Sequence, residues 1–302
     1  MKVLVVGATG TLGRHVVAKL RARGVSVRAL TRSTERGAAL AESGAEVVRG
    51  DLIDAASLQR ACVGVDRVLA AAHSLFGTGP YRSENVDGAG HLSLIAAAEA
   101  AGVDRFVYTS ARGASPDHAV DFFRTKYAIE QALATSRLEG VVLRPTAFME
   151  QHVHAANGAI LLTGGRPKFV GPGTKLRNFV AASDVAELAA RALLDEPLPF
   201  SNLEIGGPGN YSNLDVMNLY ARTAGVEPLA SHLPITIARL ISLAVARANP
   251  GRARILTLMS LSERAHGERF DGAASLERTY GLRMTTVEAF VSARVAQHRR
   301  PR

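Results

Sequence analysis

Lys2-Val3-Leu4-Val5-Val6 runs straight into Gly7-Ala8-Thr9-Gly10-Thr11-Leu12-Gly13. The first stretch is a continuous aliphatic run without polar alternation, the pattern of a strand covered on both faces in a parallel sheet. From Thr11 the spacing becomes helical: Leu12, Val16, Val17 and Leu20 share one side, and Gly24 closes the helix. Between strand and helix the glycines stand three apart. Gly7 permits a tight turn, Gly10 lets the main chain approach a pyrophosphate, and Gly13 lets the helix lie close on the strand. The N–H groups opening the helix, and the positive end of its dipole, suit a diphosphate. Three glycines alone could mark a mere turn. Placed between a buried strand and an amphipathic helix, they mark a nucleotide loop, with Gly7, Thr9, Gly10, Thr11, Leu12 and Gly13 at the ligand.

Reading outward, strands are expected at 25–30, 45–48, 67–70, 105–109 and 141–144, the last ended by Pro145. Helices are expected between them at 34–41, 55–61, 83–101 and 122–136. This alternation predicts an α/β fold with a doubly wound parallel sheet, whose strands end along one ligand-binding edge. After Pro145 helical segments dominate, at 148–162, 184–194, 213–223 and between 235 and 261. Domain boundaries are therefore expected at 1–147 for the nucleotide-binding domain and 148–302 for a smaller, mostly helical C-terminal lobe. Residues 201–206 are expected to rejoin the sheet. The segment from Phe169 to Phe179, with its Gly-Pro-Gly turn, is expected to be a mobile flap.

The chain has 302 residues, 47% hydrophobic and 21% charged, which suits a globular protein with a large core. Its one cysteine, Cys62, makes no internal bridge and reads as a buried small hydrophobe in a reducing compartment. No signal-peptide pattern opens the chain and no apolar run is long enough to span a bilayer, so a cytoplasmic location without a membrane partner is expected. The net charge of +9 raises nucleic acid as a partner. However, the arginines are dispersed, only His298-Arg299-Arg300-Pro301-Arg302 is dense, and no Trp is present to stack bases. No nucleic acid is expected. His152 and His154 lie two apart, on different helix faces, and no ligand cluster accompanies them, so no metal site is expected.

Strand two ends Ala29-Leu30-Thr31-Arg32-Ser33, without the carboxylate that usually holds the ribose hydroxyl of NAD. Arg32 instead offers a planar fork of donors for a 2′-phosphate, so NADP(H) is the expected cofactor. Asp51 can accept from the adenine amino group while Leu52 packs on the ring; the alternative for the carboxylates here is helix capping, which suits Asp54 better. Ala71, in the small-residue run after strand four, lets backbone lie against the ribose.

These residues resemble the atypical short-chain dehydrogenase/reductase superfamily, in its NmrA-like branch. The matching pieces are the glycine loop, Gly50-Asp51-Leu52, Asn85-Val86-Asp87-Gly88, Arg105-Phe106-Val107-Tyr108-Thr109-Ser110, Lys126 with Glu130, and Leu143-Arg144-Pro145-Thr146. Leu203-Glu204-Ile205-Gly206-Gly207-Pro208 resembles the segment that rejoins the sheet. The resemblance implies a Rossmann-type sheet. It places Pro145 and Thr146 at the nicotinamide, Lys126 on its ribose and Ser110 at the substrate oxygen. The superfamily's catalytic Tyr stands four residues before the Lys; here that slot holds Phe122, which has no proton to exchange. Other acids are Lys126 itself, Ser110, His73, Tyr81 and His118, the last in the loop before the Lys helix.

The expected activity is hydride transfer from NADPH to a small apolar carbonyl or quinone, in a monomer or homodimer, with Lys126, Ser110 and His118 as catalytic candidates. A quinone could take its proton from water. The alternative is a non-catalytic NADP(H)-binding sensor or partner-binding protein. An epimerase or dehydratase fits less well, because those keep the Tyr and use NAD.

Overall fold

A computed structural model of the chain describes residues 1–196, 201–263 and 268–299. Residues 300–302, the densest part of the basic tail, lie outside the described residues. The chain opens as β1 (Lys2–Val6), α1 (Thr11–Ala22), β2 (Ser26–Thr31), α2 (Thr34–Glu42), β3 (Glu46–Arg49), α3 (Ala55–Cys62) and β4 (Arg67–Ala70). It continues through α4 (His91–Ala100), β5 (Arg105–Thr109), α5 (Asp121–Ala134) and β6 (Glu139–Pro145). Then come β7 (Ala147–Phe148), α6 (Ala159–Leu162), β8 (Lys168–Val170), β9 (Arg177–Val180), α7 (Ala182–Leu194), β10 (Asn202–Ile205) and β11 (Asn210–Tyr211). The remainder forms α8 (Asn213–Ala224), β12 (Ser231–Leu233), α9 (Ile235–Val245), α10 (Pro250–Ser262), α11 (Ala273–Tyr280) and α12 (Val287–Arg299).

The central sheet has the order β10-β6-β5-β4-β1-β2-β3. β1 pairs in parallel with β2 and with β4, so Val6 stands beside both Leu30 and Ala70. β5 continues the register, with Ala70 beside Tyr108 and Thr109 beside Leu143. The strand order reverses at β1, and the strand ends there form the crevice in which doubly wound sheets hold ligands. The central strand β1 is buried on both faces: Val3, Leu4 and Val5 have no exposed surface. Leu4, Val6, Leu58, Leu94, Phe106, Ile129 and Leu133 pack into one core beneath α3, α4 and α5. Cys62 lies in that core, and burial pushes its thiol up to about 11.

The residues cluster into two compact units, Met1–Arg144 with Val185–Glu204, and Pro145–Asp184 with Ile205–Arg302. Most of α7 thus belongs with the first unit, and two arginines explain why. Arg105, buried on β5, donates to the carbonyls of Ala192 (3.1 Å) and Asp195 (3.0 Å) and to Glu196 (2.9 Å). Arg67 also donates to Glu196 (2.5 Å) and to the Leu193 carbonyl. Guanidinium groups from the sheet thus donate to carbonyls at the end of α7.

Three expectations need correction. The helix over 83–101 begins as a π-helix, Glu84–Gly90, before continuing as α4. Gly90 permits the wider winding to lie on the neighbouring loop, since a Cβ there would come within 2.8 Å of the Leu52 carbonyl. The helix over 148–162 is likewise divided: Phe148 belongs to β7, Glu150–Gly158 is π-helical, and only Ala159–Leu162 is α-helical. Here Gly158 lies against the Tyr220 ring, which a Cβ would meet at 2.1 Å. The flap expected over 169–179 is anchored at both ends. β8 pairs with β12 and β9 with β7 and β11, and Phe169 and Phe179 are buried. The second unit therefore carries small sheets beside its helices.

Candidate nucleotide and catalytic site

The glycine loop has the geometry its spacing requires. Gly7 adopts φ +86°, and a Cβ on it would stand 2.7 Å from the Ala72 nitrogen. Gly13 touches main chain, with a notional Cβ 2.2 Å from the Gly7 oxygen. Gly10 donates to the Gly7 oxygen at 2.9 Å and caps α1 without a side-chain acceptor. The α1 N-terminus thus receives no side-chain cap from its N-cap residue. Gly10 is exposed and Thr9 and Thr11 are half-buried, whereas Leu12 points into the core. Ala71 donates from its backbone to the Val6 carbonyl (2.9 Å), extending the sheet past β4 beside Gly7.

A second group assembles at the ends of β2 and β3. The Arg32 guanidinium lies over the Tyr81 ring at 4.7 Å, and the Tyr81 hydroxyl donates to Asp51 at 3.0 Å. Arg32 and Tyr81 line a cavity of about 350 Å³ with the loop His73–Thr78. Asp51 also accepts from the Ile53 N–H at 3.3 Å, so its carboxylate already has two donors. Asp54 caps α3 by accepting from Ser57 N–H, the alternative weighed for these carboxylates. Leu52 is buried against Gly90. Tyr81 as the platform for Arg32 was not legible, since the two meet only when the loop after β4 folds back.

The third group surrounds α5. Lys126 is buried; its ammonium donates to the Thr109 carbonyl at 2.8 Å and faces the Tyr108 ring at 4.7 Å and the Phe122 ring at 5.5 Å. Burial pulls its pKa below the usual lysine value, while Asp87 and Glu130 oppose that shift. Ser110 does not stand free: its hydroxyl donates to Glu130, which also receives both the Arg144 Nε (3.0 Å) and a terminal guanidinium nitrogen. Glu130 stands one helix turn after Lys126 on α5. In the fold its buried carboxylate ties Ser110 to Arg144. Asp87, wholly buried, accepts from the Ser74 N–H (3.2 and 3.1 Å) and the Ser83 hydroxyl (2.7 Å), and so holds the loop after β4.

His118 stacks on Phe123, with ring centroids 4.3 Å apart, and its Nδ1 accepts from the Val120 N–H at 3.0 Å. The same Nδ1 is 3.3 Å from the Val120 carbonyl. Pro145 and Thr146 belong to the second unit. There Thr146 donates through its hydroxyl to Asn178 (2.9 Å), whose oxygen also accepts from Gly207 N–H (2.9 Å). Asn178, almost fully buried, carried no signal in the sequence; it joins β9 to the glycine turn after β10. Among the described residues no group of three His, Cys, Asp or Glu side chains could hold a metal.

Beside Lys126, His91 is wholly buried, and its Nδ1 is 2.9 Å from the Val86 carbonyl. Burial pushes its pKa down to about 4, with the Lys126 charge adding to the effect. The unfolded imidazole binds a proton near 6.5. Between the two values the unfolded chain binds more protons, so stability is expected to fall as pH drops from about 6.5 to about 4. Urea unfolding of wild type and His91→Gln across that range checks this; equal slopes would contradict it.

The strand order and the glycine loop define a Rossmann-type α/β fold. The chain belongs to the NmrA-like family, whose sequence profile matches residues 1–290. It is 27% identical over 237 residues to the photosystem II assembly factor Ycf39 of Guillardia theta, covering 78% of this chain and 74% of that protein. It is 30% identical over 223 residues to the NAD(P)H azoreductase of Xenophilus azovorans, covering 74% of each. A solved structure of similar fold is the Escherichia coli NADPH-dependent quinone oxidoreductase QOR2 complexed with NADPH. Its TM-score is 0.73 at 23% identity, over 96% of this chain and 99% of that one.

Proposed function

We propose that this chain is an NADPH-dependent reductase of a small, apolar carbonyl or quinone. The observation that carries the reading is the cradle from Gly7 to Gly13, with the Arg32 guanidinium seated on Tyr81 nearby in sequence order at the end of β2. A side chain at Gly7 or Gly13 would strike main chain, and the α1 N-terminus has no side-chain cap, so the residues present fit a dinucleotide diphosphate. Arg32 with no carboxylate at the end of β2 favours the 2′-phosphate of NADP(H) over NAD(H). Asp51 and Leu52 flank the adenine and Ala71 the ribose.

When bound, the nicotinamide supplies the hydride. Lys126 holds a positive charge at the end of β5, suited to a ribose hydroxyl and to negative charge developing on the substrate oxygen. Phe122 occupies the slot of the superfamily's acid, beside the Lys126 ammonium, so the proton must come from elsewhere. His118 is the candidate donor; a reduced quinone could take its proton from water. The names of the azoreductase and the quinone oxidoreductase support the same class of acceptor.

Two observations favour a second reading, that of an NADP(H)-binding protein without turnover. The Ser110 hydroxyl is committed to Glu130, and Phe122 offers no proton. The similarity to an assembly factor points the same way. Titration with NADPH and NADH, followed by turnover on a panel of quinones and ketones, separates the readings. Tighter binding of NADPH by roughly tenfold, steady NADPH oxidation with a panel member, and faster ketone reduction by Phe122→Tyr are expected. Tight binding with no turnover by either form would select the second reading, and absence of dinucleotide binding would remove both.

A further inference from the structure

The sequence of α9, Ile235-Thr236-Ile237-Ala238-Arg239-Leu240-Ile241-Ser242-Leu243-Ala244-Val245, has aliphatic residues on every side. Helices of that kind are ordinarily enclosed. The enclosure of α9 is only partial. Its fully buried residues are small, Ala238 and Ser242, with Ile235, Ile241 and Val245 half-buried beside them, and the Ser242 hydroxyl lies 3.0 Å from the Ala253 carbonyl and 2.8 Å from the Thr257 hydroxyl on α10. Three of its large side chains face out: Ile237 is 45% exposed, Leu240 66% and Leu243 76%. Single exposed aliphatics are normal, but these recur every three residues and form a stripe along one side. Ile255, Leu256, Leu258 and Met259 of α10 are only partly covered. An apolar cavity of about 440 Å³, bounded by Pro172, Leu233, Pro234 and Ile235, lies at the start of α9.

The charge around this stripe decides what covers it. From Ile235 to Ser262 the chain contains Arg239, Arg247, Arg252 and Arg254 and no Asp or Glu. Arg239, Arg247 and Arg252 are exposed. At about 100° per residue Arg239 borders Leu243, and Arg247 follows in the turn that ends α9. A second copy of the same face would bring cation against cation. Anionic lipid headgroups accept both parts, with aliphatic side chains at the acyl boundary and guanidinium groups at phosphate level.

We propose that the α9–α10 hairpin seats this protein on the surface of an anionic lipid bilayer. Ile237, Leu240 and Leu243 enter the acyl boundary, and Arg239, Arg247 and Arg252 contact lipid phosphates. The element lies on the bilayer, since no helix of the described residues is long and apolar enough to cross one. The proposal departs from the expectation of no membrane partner. The sequence displays the apolar run, but not that its small residues take the protein side.

Flotation of the full chain tests it, with vesicles of phosphatidylglycerol and phosphatidylcholine in equal parts and vesicles of phosphatidylcholine alone. Wild type is expected to float with the mixed vesicles, and less as salt is raised. The double variant Leu240→Glu/Leu243→Glu is expected to lose at least about tenfold in vesicle affinity with an unchanged unfolding temperature, because both side chains already face water. Arg239→Gln with Arg247→Gln is expected to weaken binding to the mixed vesicles several-fold. Wild type that stays unbound at low salt would overturn the proposal, as would equal binding to both vesicle types untouched by the arginine variants. So would a dimer in light scattering that the double glutamate variant splits while flotation is unaffected, which would make a second copy the occupant.

Discussion

Gly13→Ala is expected to abolish NADPH binding and to destabilise the protein by about 3 kcal/mol or more. The added methyl would stand 2.2 Å from the Gly7 oxygen and 2.8 Å from the Ala8 Cα. Both are main-chain atoms, which cannot turn aside as a side chain can. Gly7 cannot retreat either, because it is held at φ +86° with the Ala72 nitrogen close behind it. Relief therefore requires α1 to lift from β1, and with it the buried Leu12, Val16, Val17 and Leu20. Two other glycines separate the contributions. Gly24 also has a positive φ, +73°, but a Cβ there meets nothing within 4 Å, so Gly24→Ala isolates left-handed strain at about 1–2 kcal/mol. A Cβ on Gly10 would stand 3.1 Å from the Gly7 oxygen, a contact small shifts can relieve, so Gly10→Ala should keep the fold and lose affinity. Urea unfolding and NADPH fluorescence titration read both quantities. A Gly13→Ala protein as stable as Gly24→Ala, or one that binds NADPH as wild type does, would show that the close approach is not what the loop requires.

The first half of the fold was legible because each of its elements satisfies a local rule and its neighbours repeat it. Val3 to Val6 can only be a strand covered on both faces, and the helices between strands leave little choice of topology. The second unit gave weaker signals for physical reasons. β7 and β11 are two residues each, and they exist because β9 offers edges on both sides. No periodicity can be read from two residues. The π-helical turns depend on Gly90 and Gly158 meeting Leu52 and Tyr220, contacts between distant parts of the chain. The same division runs through the candidate site. The glycine loop and Lys126 stand in recognisable positions, and the fold gives each a close-packed setting. The partners that fix side chains came from elsewhere: Tyr81 for Arg32, Asp87 for the loop after β4, and Glu130 for Ser110. A motif names which residue stands at a strand end. It does not say which of its atoms are already engaged.

Lys126→Met is expected to lower turnover about 100-fold or more while leaving the protein at least as stable near neutral pH. These effects point in opposite directions because the ammonium is costly to bury. Burial pulls its pKa down, and the attraction of Asp87 and Glu130 offsets that only in part. In the unfolded chain a lysine titrates near 10.4. Below the depressed folded value, both states carry the proton and the folded state bears the whole desolvation cost. Between that value and about 10.4 the unfolded state binds the proton and the folded state releases it, so wild-type stability should rise with pH. Methionine fills similar space without a charge; it gives up the bond to the Thr109 carbonyl, about 1.5–3 kcal/mol for a charged donor, and the attraction of Asp87 and Glu130, both of which the recovered cost of burying the charge is expected to outweigh. Its stability should lack that rise. Urea unfolding of both proteins from neutral pH to pH 10 measures the difference, and parallel curves would mean that the buried charge is not under strain. A residue kept at a cost to stability, whose removal costs turnover and little else, is a residue retained for chemistry. If Lys126→Met instead lost stability at every pH in step with activity, Lys126 would be a structural tie between α5 and β5, and the reading without turnover would gain the stronger case.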